Sequence, residues 1–371
     1  MDYGKAGLRQ YLSSLIFIGI IGVFFILNLL ITPPEVLVSE RRKPAKFPEL
    51  TVDTVLSGDF MGKFEGYAAD RFIFRDSFRL IRSFTVFDVF FQTDKSGLYR
   101  DNKVGVGEFK RMDANAFAQT AEKIRKVAES PQLSGLNVYY TFVPDKSTFA
   151  GRYLPGFDPE AAEKVLEGVL GGSSYISLTD SGTISATSFY STDLHWNQTD
   201  ISDAVMFLCS AMGANADLSE YTKVTAGNFK GVYPGQLALP VAPDSLAYMT
   251  LPTLQASYLN ENTFDYESGS VYDLERFLGI DPYDIFMRGP QALITLENEA
   301  ITNGRELYLF RDSFGSSLAP LLAGAYSKIT LIDLRYINWQ LIDQFIEFTP
   351  GADVLFIYSS QIFGNPSILQ V

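Results

Sequence analysis

The sequence contains a single cysteine, Cys209, and a single histidine, His195, among its 371 residues. One cysteine cannot form an intramolecular disulfide, and one cysteine with one histidine leaves too few ligands for a structural zinc site. The sequence therefore predicts neither a metal nor another cofactor. Since histidine is the side chain that titrates near neutral pH, any imidazole-based proton transfer in this protein must use His195.

Positive charge is also scarce, because 30 lysine and arginine residues are outnumbered by 43 aspartate and glutamate residues, and the formal net charge is −13. A protein that binds a phosphate backbone needs a basic surface, and the body of the chain carries no basic stripe. We therefore expect no nucleic-acid partner. One short basic cluster, Arg41 to Lys43 with Lys46, can contact anionic lipid or belong to a solvated linker.

One long apolar run is present, from Leu12 to Ile31, and it has the roughly 20 residues that a helix needs to cross a bilayer. The residues that follow, Thr32 to Glu35, offer no small-residue cleavage site, which favours an uncleaved anchor over a signal peptide. Positive charges are more frequent after the run than before it, which favours a cytoplasmic body. The short N-terminal tail and the motifs described below favour export instead. We expect a single-pass protein of the cell membrane with an extracytoplasmic body.

The predicted organisation has four parts and one insertion. Residues 1–11 form a short tail, 12–31 the transmembrane anchor, 32–60 a linker and 61–371 an α/β domain. Within this domain, residues 214–300 are irregular in pattern and rich in turn-forming residues, so we expect an insertion there.

Strands alternate with helices over much of the predicted domain. Helices are expected at 114–129, 159–170, 315–325 and 338–348, and strands at 136–143, 175–178, 306–310, 328–334 and 353–359. This alternation indicates βαβ units and a mostly parallel sheet covered on both faces. In such sheets, sites form at the carboxyl ends of strands, where Asp145, Asp312 and Ser313 are expected.

Three residues in this pattern have the chemistry of a Ser-His-Asp triad. Asp193 and His195 lie two residues apart in a loop before a predicted helix, and Ser313 follows a strand and precedes another helix. A serine hydroxyl becomes nucleophilic when an imidazole removes its proton, and a carboxylate can fix the tautomer of that imidazole. The Ser313 N–H is the first candidate oxyanion donor. On these residues alone, a structural role for His195 is an equal alternative.

The tetrapeptide around Ser313, Arg-Asp-Ser-Phe, occurs a second time at Arg75 to Phe78. The second copy continues with helical apolar spacing and has no following glycine. We therefore expect Ser77 to be an ordinary helical serine and Ser313 to be the candidate nucleophile.

The run from Thr192 to Trp196 resembles the signature of the DHHW family of Gram-positive bacteria. It is also similar to the Asp-x-His-Trp signature of alginate O-acetylation proteins of the AlgX and AlgJ type, and both groups are SGNH-hydrolase-like. Further similarity lies at Arg71 to Phe78, Pro144 to Lys146 and Tyr283 to Phe314, so the resemblance covers most of the chain after the anchor. Leu194 stands where the DHHW signature usually has its first histidine.

The resemblance implies an SGNH-hydrolase-like, three-layer α/β fold with a central, mostly parallel sheet. It implies Ser313 as nucleophile, His195 as base and Asp193 as the acid that orients the base. The implied activity is O-acetylation of a cell-surface or exopolysaccharide through an acyl-serine, with a membrane-bound O-acyltransferase as a possible acetyl donor. A carbohydrate esterase with the same triad and a non-catalytic polysaccharide-binding or assembly subunit are the alternatives.

Five more residues are candidate substrate contacts. Trp196 and Tyr190 are, with Trp339, candidate platforms for sugar rings, although a core position is the simpler interpretation of each. Lys146 and Arg311 can steady an oxyanion or bind an acidic sugar, and solvated surface positions are the alternative.

Overall fold

The computed structural model describes residues 3–30, 34–108, 111–151, 157–171 and 174–371. The chain divides into two compact units. The first, called the N-terminal unit below, runs up to Phe91 and includes Gly235–Pro240. The second, called the α/β unit, comprises Gln92–Pro234 and Val241–Val371.

The N-terminal unit is mainly helical. Its helices are α1 (Tyr3–Leu30), α2 (Val52–Leu56), α3 (Asp59–Arg71) and α4 (Arg75–Phe84), and α4 continues into one π-helical turn (Thr85–Val89). Within α1, the stretch Tyr11–Leu30 has the length and composition needed to cross a membrane. The predicted tail is helical from Tyr3 onward. Residues 1–2 and 31–33, which include the expected end of the anchor, lie outside the described residues.

The segment predicted as a linker, residues 32–60, contains α2 and the start of α3. The signal for α2 is local: the Thr51 hydroxyl accepts from the Thr54 N–H, and the Thr54 hydroxyl accepts from the Thr51 N–H. Such a capping box satisfies donors that a helix start otherwise leaves unpaired. The boundary between the two units falls after Phe91 rather than at residue 60.

Beyond Phe91 the chain alternates helices and strands. The helices are α5 (Ala114–Ala128), α6 (Pro159–Leu170), α7 (Ser202–Ala211), α8 (Val232–Leu237), α9 (Ser313–Leu322) and α10 (Ser360–Phe363). The strands are β1 (Asp94–Lys95), β2 (Leu98–Asp101), β3 (Gly105–Glu108), β4 (Asn137–Val143), β5 (Tyr175–Ile176), β6 (Thr222–Phe229), β7 (Asp244–Thr250), β8 (Leu254–Leu259), β9 (Tyr266–Gly269), β10 (Leu293–Asn298), β11 (Glu306–Arg311), β12 (Lys328–Ile332) and β13 (Asp353–Ser359).

The central sheet has eight strands in the order β5-β4-β13-β11-β12-β10-β8-β9. The first five strands in this order are parallel to one another. The last three pair antiparallel with their neighbours. Two smaller antiparallel sheets are formed by β1-β2-β3 and by β6-β7. The predicted central, mostly parallel sheet is confirmed.

Successive side chains of the central strands enter two different cores. On β11, Leu307 and Leu309 belong to a core that also contains residues of α7 and α9. Tyr308 and Phe310 point to the other face and pack in a core with residues of α5 and α6. Strand side chains alternate between faces, so a strand covered by helices on both faces reads as a continuous apolar run. The α/β unit therefore has three layers.

The region 214–300, expected to be an irregular insertion, supplies three of the eight central strands. These are β8, β9 and β10, and the same region also forms the β6-β7 pair. Buried and exposed residues are mixed along these strands, whereas every residue of β13 is buried. The edge strand β9 has no buried residue, and an antiparallel strand does not need the continuous apolar run of a central parallel strand, so the composition of this region resembles that of loops.

The predicted helix bounds agree with the structure to different degrees. The α5 helix begins at Ala114, as predicted, and Asp113 is its N-cap, with a carboxylate that accepts from the N–H groups of Asn115 and Ala116. The expected helix 338–348 is only a 3₁₀ segment, Trp339–Gln344. The α9 helix begins at Ser313, two residues before its predicted start.

Replacing Leu355 by alanine tests the central position of β13. Leu355 is fully buried, so the truncation leaves a cavity, and we expect a loss of about 2–5 kcal/mol in the free energy of unfolding. The matched control is Leu278→Ala, because Leu278 is 88% exposed and its loss is expected to change that free energy by less than about 0.5 kcal/mol. Chemical denaturation of the detergent-solubilised protein measures both, and equal losses would contradict the assigned core.

Candidate active site

The candidate site lies at the carboxyl ends of the parallel strands. Ser313 follows β11, Lys146 lies shortly after β4, and Ser359 ends the neighbouring β13. Parallel strands deliver their carboxyl ends to the same edge of a sheet, so these residues approach one another although they are far apart in sequence.

The position of Ser313 is set by the turn between β11 and α9. Asp312 is the N-cap of α9: one carboxylate oxygen accepts from the Phe314 N–H at 3.0 Å and the other from the Ser359 N–H at 2.8 Å. The same side chain thus closes the helix start and ties it to the end of β13. Gly315 is required by packing, because a Cβ there would lie 2.4 Å from the Cβ of Arg311.

The three predicted triad residues form a continuous hydrogen-bonded chain. The Nε2 atom of His195 lies 2.8 Å from the Oγ of Ser313, and its Nδ1 lies 2.7 Å from the Oδ1 of Asp193. Asp193 is fully buried and His195 is 6% exposed, whereas Ser313 is only partly buried. With Nδ1 protonated and bonded to the carboxylate, Nε2 is free to accept the serine proton. The structure therefore brings together the residues that a serine nucleophile needs.

The loop that carries Asp193 and His195 is held by backbone and carboxylate contacts. The carboxylate of Asp244 accepts from the N–H groups of Ser191 and Thr192 at 3.0 and 2.7 Å, and from the Thr192 hydroxyl at 2.5 Å. The Gly231 N–H donates to the same hydroxyl, and a Cβ at Gly231 would lie 2.1 Å from the Thr192 carbonyl oxygen. Asp244 and Gly231 have no motif of their own in the sequence, so only the fold assigns them this role.

Lys146 is buried beneath the same loop. Its Nζ donates to the carbonyl oxygens of Val106, Tyr190 and Asp193 at 2.8, 2.7 and 2.9 Å. These three bonds use the three donors of an ammonium group. Lys146 thus differs from both sequence expectations, since it is neither solvated nor directed at a substrate. Burial lowers the pKa of Lys146 to about 8, although the carboxylate of Asp193 opposes the shift.

An aromatic ring that the sequence analysis did not single out covers the imidazole. The rings of Tyr283 and His195 stack with centroids 3.8 Å apart and planes inclined by 6°. The Tyr283 hydroxyl donates to the Oγ of Ser317 at 2.7 Å, and the same Oγ accepts from the Trp196 indole N–H at 2.8 Å and donates to the Phe314 carbonyl oxygen. Burial raises the pKa of the Tyr283 phenol well above its usual value, so it acts as a donor here.

The proposed sugar platforms are core residues. Trp196 is fully buried, and its indole N–H is bound to α9. Tyr190 is 3% exposed and packs edge-on against Phe229 at a centroid distance of 4.9 Å. Trp339 belongs to the core on the other face of the sheet. Because none of these rings presents an open face, the structure does not support their role as platforms.

Arg311 lies in the wall of the site and is 1% exposed. Its guanidinium donates to the Ser316 hydroxyl at 3.0 Å and forms an ion pair with Asp333 at 3.4 Å. Arg335 donates to both oxygens of the same carboxylate, at 2.8 and 2.6 Å. Two guanidinium groups therefore share one buried carboxylate, and both arginines line the cavity together with Asp281 and Asp284. Of the five candidate substrate contacts, Arg311 alone lines the site cavity.

A cavity of about 200 Å³ opens beside Ser313 and His195. It carries charged groups of both signs and aromatic rings, and Tyr336 at its edge is 45% exposed. The lining residues are Leu194, His195, Asp281, Tyr283, Asp284, Phe286, Gly289, Pro290, Arg311, Ser313, Ser316, Arg335, Tyr336 and Gln361. The cavity has room for an acyl group and part of a polar acceptor.

No family model matches the sequence, and no curated protein matches it. Among solved structures, a DHHW family protein from Eubacterium siraeum is similar, with a TM-score of 0.55 and 20% identity over 75% of this chain and 97% of that chain. PatB1 of Bacillus cereus has a TM-score of 0.56 and 16% identity over 72% of this chain and 96% of its own. The structure of PatB1 with a sulfonyl adduct has the same TM-score and identity, over 72% of this chain and 95% of that chain.

The chain has an SGNH-hydrolase-like fold. At identities of 16–20% the likeness shows the fold alone, and it confirms the fold that the run from Thr192 to Trp196 led us to expect. The roles of the triad residues depend on the geometry described above.

Lys146→Met tests whether the buried ammonium holds the triad loop. The substitution keeps the apolar stem and removes all three donors, so three carbonyl oxygens lose a partner. We expect at least a tenfold loss of kcat/KM for an acetyl ester at pH 7, with Lys126→Met, at an exposed position of α5, as the control.

The pH profile separates this role from general packing. As the pH rises through about 8, Lys146 loses its proton and one of its donors, so wild-type activity is expected to fall above that pH. The Lys146→Met variant is expected to lack this alkaline limb. Full activity in a folded Lys146→Met variant would contradict the proposed role.

Tyr283→Leu and Tyr283→Phe test the ring stacked on the imidazole. Leucine removes the flat surface that restrains His195, and we expect at least a tenfold loss of kcat with little change in KM. Phenylalanine keeps the stack and loses only the hydrogen bond to Ser317, so activity within about threefold of wild type is expected. Steady-state kinetics distinguishes the two, and equal losses would show that the hydroxyl rather than the stack is important.

Proposed function

We propose that this protein is a membrane-anchored, extracytoplasmic O-acetyltransferase that modifies a cell-surface or exopolysaccharide. The observation that carries the proposal is the hydrogen-bonded chain from Ser313 through His195 to Asp193 at the start of α9. The SGNH-hydrolase-like fold and the resemblance of the run from Thr192 to Trp196 support the choice of acyl chemistry.

In the first half-reaction, the Oγ of Ser313 attacks the carbonyl carbon of an acetyl ester while Nε2 of His195 takes the hydroxyl proton. The buried carboxylate of Asp193 stabilises the imidazolium and keeps its orientation. Negative charge on the tetrahedral intermediate develops near the N-terminus of α9, where the Ser313 N–H is the donor we propose. Collapse of the intermediate expels the donor alkoxide, which takes the proton from His195 and leaves acetyl-Ser313.

In the second half-reaction, a sugar hydroxyl of the acceptor transfers its proton to His195 and attacks the acetyl-serine. The new ester forms as the bond to Ser313 Oγ breaks, and His195 returns the proton to the serine. A carbohydrate esterase would use water in place of the sugar. The two reactions share the acyl-serine and differ in whether water or a bound sugar hydroxyl attacks it.

The placement of the site outside the cytoplasm belongs to the same proposal. The apolar stretch Tyr11–Leu30 supports a single-pass anchor. An exported enzyme has no direct access to cytoplasmic acetyl donors, so we propose that a membrane-bound O-acyltransferase supplies the acetyl group.

Mass spectrometry of the intact protein after brief exposure to an activated acetyl ester tests the nucleophile. We expect one acetyl adduct on Ser313, and ester turnover reduced at least about 1,000-fold in Ser313→Ala and His195→Ala. Ser77→Ala is the matched control, because Ser77 lies in the other Arg-Asp-Ser-Phe tetrapeptide and is exposed in α4. Since PatB1 has been obtained with a sulfonyl adduct, a sulfonyl fluoride serves as a second probe.

Adding an oligosaccharide acceptor to the acetylated protein separates the candidate activities. Transfer to sugar that exceeds hydrolysis supports the acetyltransferase, whereas hydrolysis unaffected by the acceptor supports an esterase. A folded wild-type protein that forms neither adduct, even with a membrane-bound donor protein present, would contradict both and favour a binding subunit.

A further inference from the structure

The polar side of α4 faces the interior of the N-terminal unit. Arg75 and Arg79 form ion pairs with Glu40, and their side chains are only 17% and 18% exposed. Arg79 also donates to the carbonyl oxygens of Gly235 and Gln236, in the segment that belongs to this unit. The fully buried hydroxyl of Ser83, about two helix turns after Arg75, donates to the carbonyl oxygen of Leu237.

The apolar side of α4 faces outward. Phe74, which precedes the helix, Phe78, Ile81 and Phe84 recur every three or four residues and are 61%, 47%, 60% and 55% exposed. A surface helix of a protein in water shows the opposite arrangement, with its apolar stripe toward the core and its charges outward. The apolar stripe of α4 therefore faces outward, with Asp76 and Arg82 exposed beside it.

The apolar surface extends well beyond α4. Among the described residues, sixteen large apolar side chains between Phe47 and Phe91 are exposed, whereas the 280 positions from Gln92 to Val371 contain eight. Phe90 and Phe91, after the π-helical turn, are 65% and 81% exposed. Exposed apolar surface of this extent marks an interaction site on a protein or a membrane.

The contacts of α1 decide between these two partners. The ring of Phe24 lies within 5.8–6.5 Å, centroid to centroid, of the rings of Phe72, Phe74 and Phe78. The side-chain oxygen of Asn28 accepts from the Ile73 N–H at 2.9 Å. Phe24 is six residues from the end of the apolar stretch at Leu30, which is about 9 Å along a helix axis. The start of α4 thus lies within about 9 Å, along the α1 axis, of the level at which the apolar stretch ends and a bilayer spanned by α1 would have its surface.

We propose that α4 and the segment up to Phe91 lie in the interfacial region of the bilayer that α1 spans, with the phenylalanine-rich face among the acyl chains. Burial of aromatic and aliphatic side chains at that depth is the usual source of affinity for an interfacial helix. Arg82, exposed on the same helix, can reach lipid phosphate. This inference rests on the proposed membrane insertion of α1, and it adds a second membrane contact to that anchor.

Fluorescence quenching in nanodiscs tests the proposal with the full chain. The variants Ile81→Cys, Phe84→Cys, Gly22→Cys and Ser219→Cys would each carry one NBD fluorophore on the introduced cysteine. The quenchers would be lipids brominated on their acyl chains, in a 3:1 phosphatidylcholine–phosphatidylglycerol mixture. Gly22 reports on α1, and Ser219 is an exposed position of the α/β unit. Cys209 is buried, and labelling of the unsubstituted protein checks that it does not react.

We expect at least threefold stronger quenching at positions 81 and 84 than at 219, and strong quenching at 22. Quenching at 22 without quenching at 81 and 84 would overturn the inference and leave the anchor intact, with the apolar face then available to a membrane-protein partner. Absence of quenching at 22 would overturn the anchor itself. An Ile81→Asp substitution is expected to reduce quenching at 84 at least twofold without changing that at 22.

Discussion

The candidate site depends on one buried cation. The Lys146 ammonium is removed from water, a placement that is costly unless every donor finds an acceptor, and it finds three backbone carbonyls. Those carbonyls come from β3 and from the two ends of the run between Tyr190 and Asp193. Because Lys146 follows β4, one side chain fastens the loop of the acid and base to the edge of the central sheet. The direction of that loop, and with it the direction of the imidazole, follows from this contact.

The nucleophile is positioned by a second, independent set of hydrogen bonds at the same edge of the sheet. Asp312 caps α9 with one oxygen and binds the end of β13 with the other, so the helix that begins at Ser313 cannot rotate without breaking both bonds. The contacts of Lys146 position His195 and those of Asp312 position Ser313, and a hydrogen bond joins these two residues, which are 118 positions apart. Preorganisation of this kind is what electrostatic catalysis requires, since the groups do not have to reorient as charge develops.

The N-terminal unit follows a different physical constraint. Arg42, Arg75 and Arg79 are paired inside the unit with Glu40, Asp70 and backbone carbonyls, whereas many apolar side chains of the unit are exposed. A soluble domain built in this way would expose its least soluble surface. The exposed apolar side chains suit a unit that lies partly in lipid. Phe24 and Asn28, in the apolar stretch of α1, contact the residues just before α4.

Several features of this protein were determined by local sequence. The span of α1, the Asp113 cap of α5, the buried strands β4, β11 and β13 and the identity of the three triad residues each depend on neighbours within a few positions. A lone histidine beside an aspartate, and a serine between a strand and a helix, are signals of this local kind. They predicted the parallel part of the sheet and the members of the site.

Only the tertiary structure decided how the remaining residues are used. Lys146 and Trp196 were candidate substrate contacts and are buried, because their partners come from distant segments. Tyr283 was not predicted as a site residue, since its role is a stack on a ring 88 positions earlier in the chain. The antiparallel strands β8 and β9 resemble loops in composition because they carry few or no buried residues on one of their faces. Helix capping and apolar periodicity depend on neighbouring residues in the sequence, whereas burial and long-range pairing depend on segments that meet only once the chain has folded.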